Sequence, residues 1–179
     1  TQGWHRRFLA VDAQRPVYAA TPTVGFSENR VVVQANMFFK TNHGFFGSYI
    51  YAFTKSNLYA GGSGSPRRFE LPAYNAADPD FSQGGPENAP VPAVTYDSGV
   101  TTNYFVGNLN GDDLAFGWIR IYSLGGPLGS ETFGIATASD PSALPTWGHY
   151  ADSAAFLPQA GTTNKVDAGD CRMQNVVVQ

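Results

Sequence analysis

Apolar and polar positions alternate over short stretches of this chain, and turn-forming residues break each stretch before a helical period can develop. That pattern predicts strands. Residues 30–39 (RVVVQANMFF) form the clearest one, and 40–47 (KTNHGFFG) read as a hairpin loop returning into 48–54 (SYIYAFT). Further strands are expected at 6–11, 91–96, 102–109, 114–124, 133–138 and 172–179. The turns between them are 12–16, 55–58, Asn110-Gly111-Asp112-Asp113 and 125–129, all of the composition that tight turns need. Residues 61–92 show little periodicity, which is long for a loop in a compact domain. Only 151–156 offers a helical turn. The expectation is one all-β unit over 1–179, built as two to three blade-like hairpin repeats with the irregular segment 61–92 between them.

The repeat rests on three pieces: 32–37 (VVQANM), 105–109 (FVGNL) and 172–177 (RMQNVV). Each sets an Asn inside an apolar strand, where its amide can satisfy backbone at a strand end or bulge. The first two lead through a loop into a second strand, YIYAF or WIRIY. Hairpins that bury a shared face suit a propeller, with a β-sandwich as the alternative.

The order of these motifs resembles a group of large bacterial exported proteins of β-propeller-like architecture, largely uncharacterised in function. The resemblance is carried by 21–25 (TPTVG) leading into 31–38, by 50–58, by 92–96 leading to 104–106, and by 167–175 (DAGDCRMQN). It implies export and a longer chain or a completing neighbour, because in that group a turn and a further strand follow the last motif. Val176, Val177 and Val178 would otherwise form a bare edge, and bare apolar edges template aggregation. This edge is therefore expected to pair with the rest of a longer chain, with another protein chain, or internally.

Composition narrows the picture. Only 14% of the 179 residues are charged, against about 25% in an ordinary domain, while aromatics also reach 14% and the net charge is −3. Such a chain is neither a disordered tail nor a helical bundle, and it lacks the basic charge on which nucleic-acid binding usually depends. No apolar run reaches the 18 or so residues of a membrane helix. One cysteine, Cys171, excludes an internal disulfide. The scarcity of Lys and the wealth of Thr, Ser, Asn, Gly and aromatics lean towards an extracytoplasmic setting.

Few residues suggest chemistry. Asp167, Asp170 and Arg172 could act as acid, base and sugar-orienting group in a glycoside hydrolase or lyase; the plainer reading is an Asp–Arg pair tying a turn. Asn108, Asn110, Asp112 and Asp113 offer oxygen ligands for calcium, although the spacing is not that of an EF-hand, and a hairpin turn explains them as well. His5, His43 and His149 lack metal spacing, so no other cofactor is expected. The aromatics Trp4, Tyr74, Trp147 and Tyr150, with Phe45, Phe46 and Phe81, fall in or near loops, where rings stack on sugars or anchor protein contacts. The leading expectation is a non-enzymatic extracytoplasmic structural or binding module that contacts proteins or glycans through strand edges and aromatic loops. The alternatives are the hydrolase or lyase, and a β-sandwich carbohydrate-binding module.

Overall fold

A computed structural model describes residues 5–6, 8–62, 64–72, 90–109, 118–136, 156–158, 160–161, 163, 165–167 and 175–178. The eight principal strands are β1 (Val17–Phe26), β2 (Arg30–Phe39), β3 (Phe45–Thr54), β4 (Arg67–Pro72), β5 (Val91–Val94), β6 (Asn103–Leu109), β7 (Trp118–Gly125) and β8 (Thr132–Ile135). They lie in the order β4-β3-β2-β1-β5-β6-β7-β8, curled into a nearly closed, barrel-like sheet. A one-turn helix, α1 (Lys55–Tyr59), follows β3. Strands β9 (Phe156–Pro158) and β10 (Lys165–Asp167) form a separate antiparallel pair. The last strand, β11 (Val176–Val177), lies parallel to β5.

The all-β, largely antiparallel expectation holds, but separate propeller blades are not shown. The reason is how the two four-stranded meanders meet. Blades pack face to face, whereas here β1 and β5 join edge to edge in parallel, with Phe26 opposite Val94 and the Thr95 N–H donating to the Phe26 carbonyl at 3.1 Å. Both hairpins therefore belong to one curved wall. The joint is tight. A Cβ on Gly25 would lie 2.5 Å from the Ala93 carbonyl oxygen and 2.6 Å from Pro92 Cβ, so only glycine fits.

Register assigns each side chain to a face. On β2 the lumen receives Arg30, Val32, Gln34, Asn36 and Phe38, and the outside receives the alternate residues. Val32, Ile50, Ala52, Leu71, Phe105, Tyr122 and Leu124 fill the middle of the lumen. Outside, Val17, Ala35, Met37, Tyr49 and Tyr51 form a second cluster, against which Val11 packs. Residues 11–15 are strapped there. The Tyr51 hydroxyl donates to the Val11 carbonyl at 2.8 Å, and the Tyr49 hydroxyl donates to Asp12 at 3.0 Å. Arg15 and Arg68 share Glu70, at 2.7 and 2.8 Å.

Strand β1 carries a bulge between Ala20 and Thr23, where Thr21 takes a left-handed φ of 45°. The bulge changes which face the alternation serves. Tyr18 and Ala20 point inward before it, and Thr23 and Gly25 after it.

Several sequence expectations shift. The segment 61–92 contributes β4 and the start of β5. Residues 6–11 form no strand among those described, and 55–58 coil into α1 rather than a turn. The valine edge finds a partner in the chain: Val176 pairs with Ala93, Val177 with Val94, and the Val178 N–H donates to the Val94 carbonyl at 3.0 Å.

Candidate ligand-binding face at the open end of the barrel

The two ends of the barrel are built differently. One end is plugged. Arg30 and Glu131, with side chains only 2% and 5% exposed, pair at 3.4 Å. Arg67 adds a second contact to the carboxylate at 3.1 Å and donates to the Glu131 carbonyl at 2.8 Å. The Gly129 N–H donates to the same carboxylate at 3.0 Å. The remaining Arg30 donors serve the Thr101 carbonyl at 2.6 Å, the Gly126 carbonyl and Asn29. Burial alone would raise the Glu131 pKa, but the Gly129 and Glu131 backbone N–H groups and the two arginines outweigh it and hold the carboxyl below its ordinary value.

This plug also closes the seam between the edge strands. No backbone ladder joins β4 to β8 among the described residues. Arg67 opens β4 and Glu131 precedes β8, so their pair stitches the two edges at one end. Further along, Phe133 of β8 meets Phe69 of β4 at 5.9 Å and stacks on Tyr122 at 5.5 Å. Asn103 lies at the same base, its Oδ1 accepting from Ser27 at 3.1 Å and its Nδ2 without a partner among the described residues.

Moving away from the plug, the lumen side chains change from apolar to amide. Thr23 donates to Gln34 at 2.8 Å, Gln34 Nε2 donates to Asn36 Oδ1 at 2.8 Å, and Ser48 donates to the same oxygen at 3.1 Å. Asn36 Nδ2 donates to the Thr21 hydroxyl at 3.2 Å, so the Asn expected to serve backbone at a bulge instead serves the side chain of the bulged residue. Every polar atom in this layer is engaged, which fits a structural floor rather than a vacant site.

Above that floor lies an aromatic rim. Tyr18, Phe38 and Phe45 sit on the lumen face of three adjacent strands, with ring centres 5.8 Å apart for Tyr18–Phe38 and 5.6 Å for Phe38–Phe45. All three are half-buried. The Tyr18 hydroxyl lies 3.1 Å from His43 Nδ1, and His43 holds a left-handed φ of 57° in the β2–β3 turn.

Strand direction makes this the end towards which β4, β6 and β8 run. β4 finishes at Pro72 opposite Gly47, β6 finishes at Leu109 opposite Trp118, and β8 runs away from the plug. The intervening segments 73–89, 110–117 and 137–155 lie outside the described residues, and with them Tyr74, Asn110, Asp112, Asp113, Trp147 and Tyr150. Trp4, Asp170 and Arg172 lie outside as well. Asp167 is placed on β10 and Asn108 on β6, with their side chains outside the description. Among the described residues, no group of three His, Cys, Asp or Glu side chains could hold a metal, and no helix is long and apolar enough to cross a membrane.

Sequence reasoning missed Tyr18 and Phe38, because a ring on a strand reads as core. Alternation gives the face but not the height along the barrel. Two shallow outer grooves carry no charged lining: one of about 550 Å³ over β6–β8, the other of about 440 Å³ between β1, β5 and β11. Comparison with protein-family models, with curated proteins and with solved structures gives no match.

Proposed function

We propose that this chain is a non-enzymatic extracytoplasmic binding module that uses the barrel as a scaffold and its open end as the contact face for glycans or protein neighbours. The asymmetry of the two ends carries the reading. At the plugged end the Arg30, Glu131 and Arg67 side chains are tied to one another. Segments 73–89, 110–117 and 137–155 follow strands that run towards the other end, and they hold most of the loop aromatics of the sequence. Binding residues concentrate on loops held by a rigid frame. Loops rich in rings suit stacking and hydrogen bonding. The exported, assembly-forming character implied by the resemblance to propeller-like proteins belongs to the same proposal.

Titration of the full chain with a panel of neutral oligosaccharides, followed by calorimetry, tests it. Tyr74→Ala, Trp147→Ala and Tyr150→Ala should weaken binding. Tyr96→Ala should not, although Tyr96 is an aromatic 86% exposed at the plugged end. Weakening by Tyr96→Ala alone overturns the proposal. New reducing ends that vanish in Asp170→Asn would replace it with the hydrolase reading.

A further inference from the structure

We propose that the fork between β5 and β6 is a strand-acceptor site, closed in this structure by β11, for an extended, uncharged, β-branched segment of another protein chain lying parallel to β5. This goes beyond the open-end reading and stands without it.

Successive residues of a strand aim their backbone groups at opposite edges. The Thr95 N–H donates to the Phe26 carbonyl, so Thr95 and Ala93 face β1, and Pro92 and Val94 face the other edge. Strand β6 meets that edge only where Val91 lies opposite Val106 and Pro92 opposite Phe105. Pro92 has no N–H to give the ladder. There β6 parts from β5, although it stays paired with β7 as far as Asn103. Val94 is left with an open edge, and β11 takes it. Val177 lies opposite Val94, and the Val178 N–H donates to the Val94 carbonyl at 3.0 Å. The occupant shows what the slot accepts: extended backbone with consecutive valines and no charge. The groove beside it, lined in part by Val24, Pro92, Val94 and Val177, has no charged side chain either. Val24 and Val177 remain 57% and 58% exposed, so β11 leaves apolar surface that a longer incoming strand could cover. The clasp is also slight. It consists of two residue pairs, and among the described residues no strand ladder ties β9 or β10 to the barrel. An element held by so few backbone bonds opens before the barrel unfolds, which gives a second chain access to the edge.

The test titrates the full chain and its Val178→Pro variant, which loses the N–H that bonds Val94, with a fluorescent peptide of sequence Gln-Asn-Val-Val-Val-Gln. A second peptide with proline as its fifth residue is the control. The first peptide should bind Val178→Pro about 10-fold more tightly than the parent, since the competing strand is weakened. Its binding should shift the Ala93 and Val94 amide resonances, and the proline peptide should bind neither chain. Equal binding to both chains, equal binding of both peptides, or no binding to Val178→Pro at millimolar concentration overturns the proposal. Amide shifts confined to residues away from β5 overturn it as well. Hydrogen exchange on the parent keeps the test readable if Val178→Pro misfolds. The Val178 amide should exchange more slowly than a free amide but about 10-fold faster than that of Val32 in the core. Equal rates would mean that the clasp opens only when the whole barrel unfolds, and the acceptor reading then fails.

Discussion

Glu131→Gln keeps the shape of the plug and removes its negative charge, leaving Arg30 buried without a counter-ion. Breaking a buried pair from one side costs about 3–5 kcal/mol. Arg30 retains the Thr101 and Gly126 carbonyls and Asn29. These contacts place the expected loss at the lower figure, about 3 kcal/mol. With a urea slope of about 2 kcal/mol per molar, the unfolding midpoint should fall by about 1.5 M. Removing both partners in Arg30→Met/Glu131→Leu should cost less than Glu131→Gln alone, since a desolvated pair is expensive to bury. The acid dependence carries a sign. Glu131 titrates below its ordinary value of 4.5 in the folded chain. Its contribution is therefore full above that value and is lost as pH falls through the lowered folded pKa. The gap between parent and Glu131→Gln should be full at neutral pH and close only below 4.5. A loss under about 1 kcal/mol at pH 7, or a double variant as unstable as the sum of the singles, would refute the view that Arg30 and Glu131 form a coupled buried plug.

Three further outcomes are expected. Gly25→Ala must push β5 away from β1 and should cost about 2–3 kcal/mol in a thermal melt; a neutral result would mean that the joint is loose. Burial pushes the Tyr51 phenol up to about 12 from 10.0, although nearby Arg68 opposes this, and burial also raises the Tyr49 phenol, so ultraviolet titration should find both ionising late. Because the folded pKa is raised, the stabilisation by Tyr51 is complete below pH 10 and is lost between about 10 and 12. The Val178 amide should exchange slowly with deuterium, as its bond to Val94 requires; rapid exchange would mean that β11 does not hold.

Much of the frame is legible from alternation. Strand β2 matches its expected bounds residue for residue, and the hairpin returning from it was expected within residues of its place. It starts earlier, at Phe45, because a bulge at Phe46 lets Phe45 pair with Phe38. Strand β1 escaped because Thr21 and Pro22 interrupt the alternation and reverse the face it serves. The propeller expectation read the hairpins correctly but not their assembly, since the decisive contact is a small parallel joint at a glycine. At the open end, 73–89 falls within the stretch 61–92 that reads as aperiodic, whereas 110–113 reads as a tight turn and 114–117 as the start of a strand. The rim is not legible: whether Phe38 caps a barrel or fills it depends on where along the wall the apolar layer stops, and only Gln34 and Asn36 mark that boundary.

The parallel joint also bears on how quickly the barrel can form. Within each meander, every strand pairs with a neighbour in sequence, so hairpins can assemble from nearby residues. The contacts that unite the halves lie much further apart, 71 positions for Arg30 to Thr101 and 101 for Arg30 to Glu131. Closing such long loops is entropically costly before any contact rewards it, and slow folding follows from non-local pairing. The rate of reaching the native barrel should then be governed by the docking of two meanders, with Gly25 at the point of contact, rather than by the formation of any hairpin.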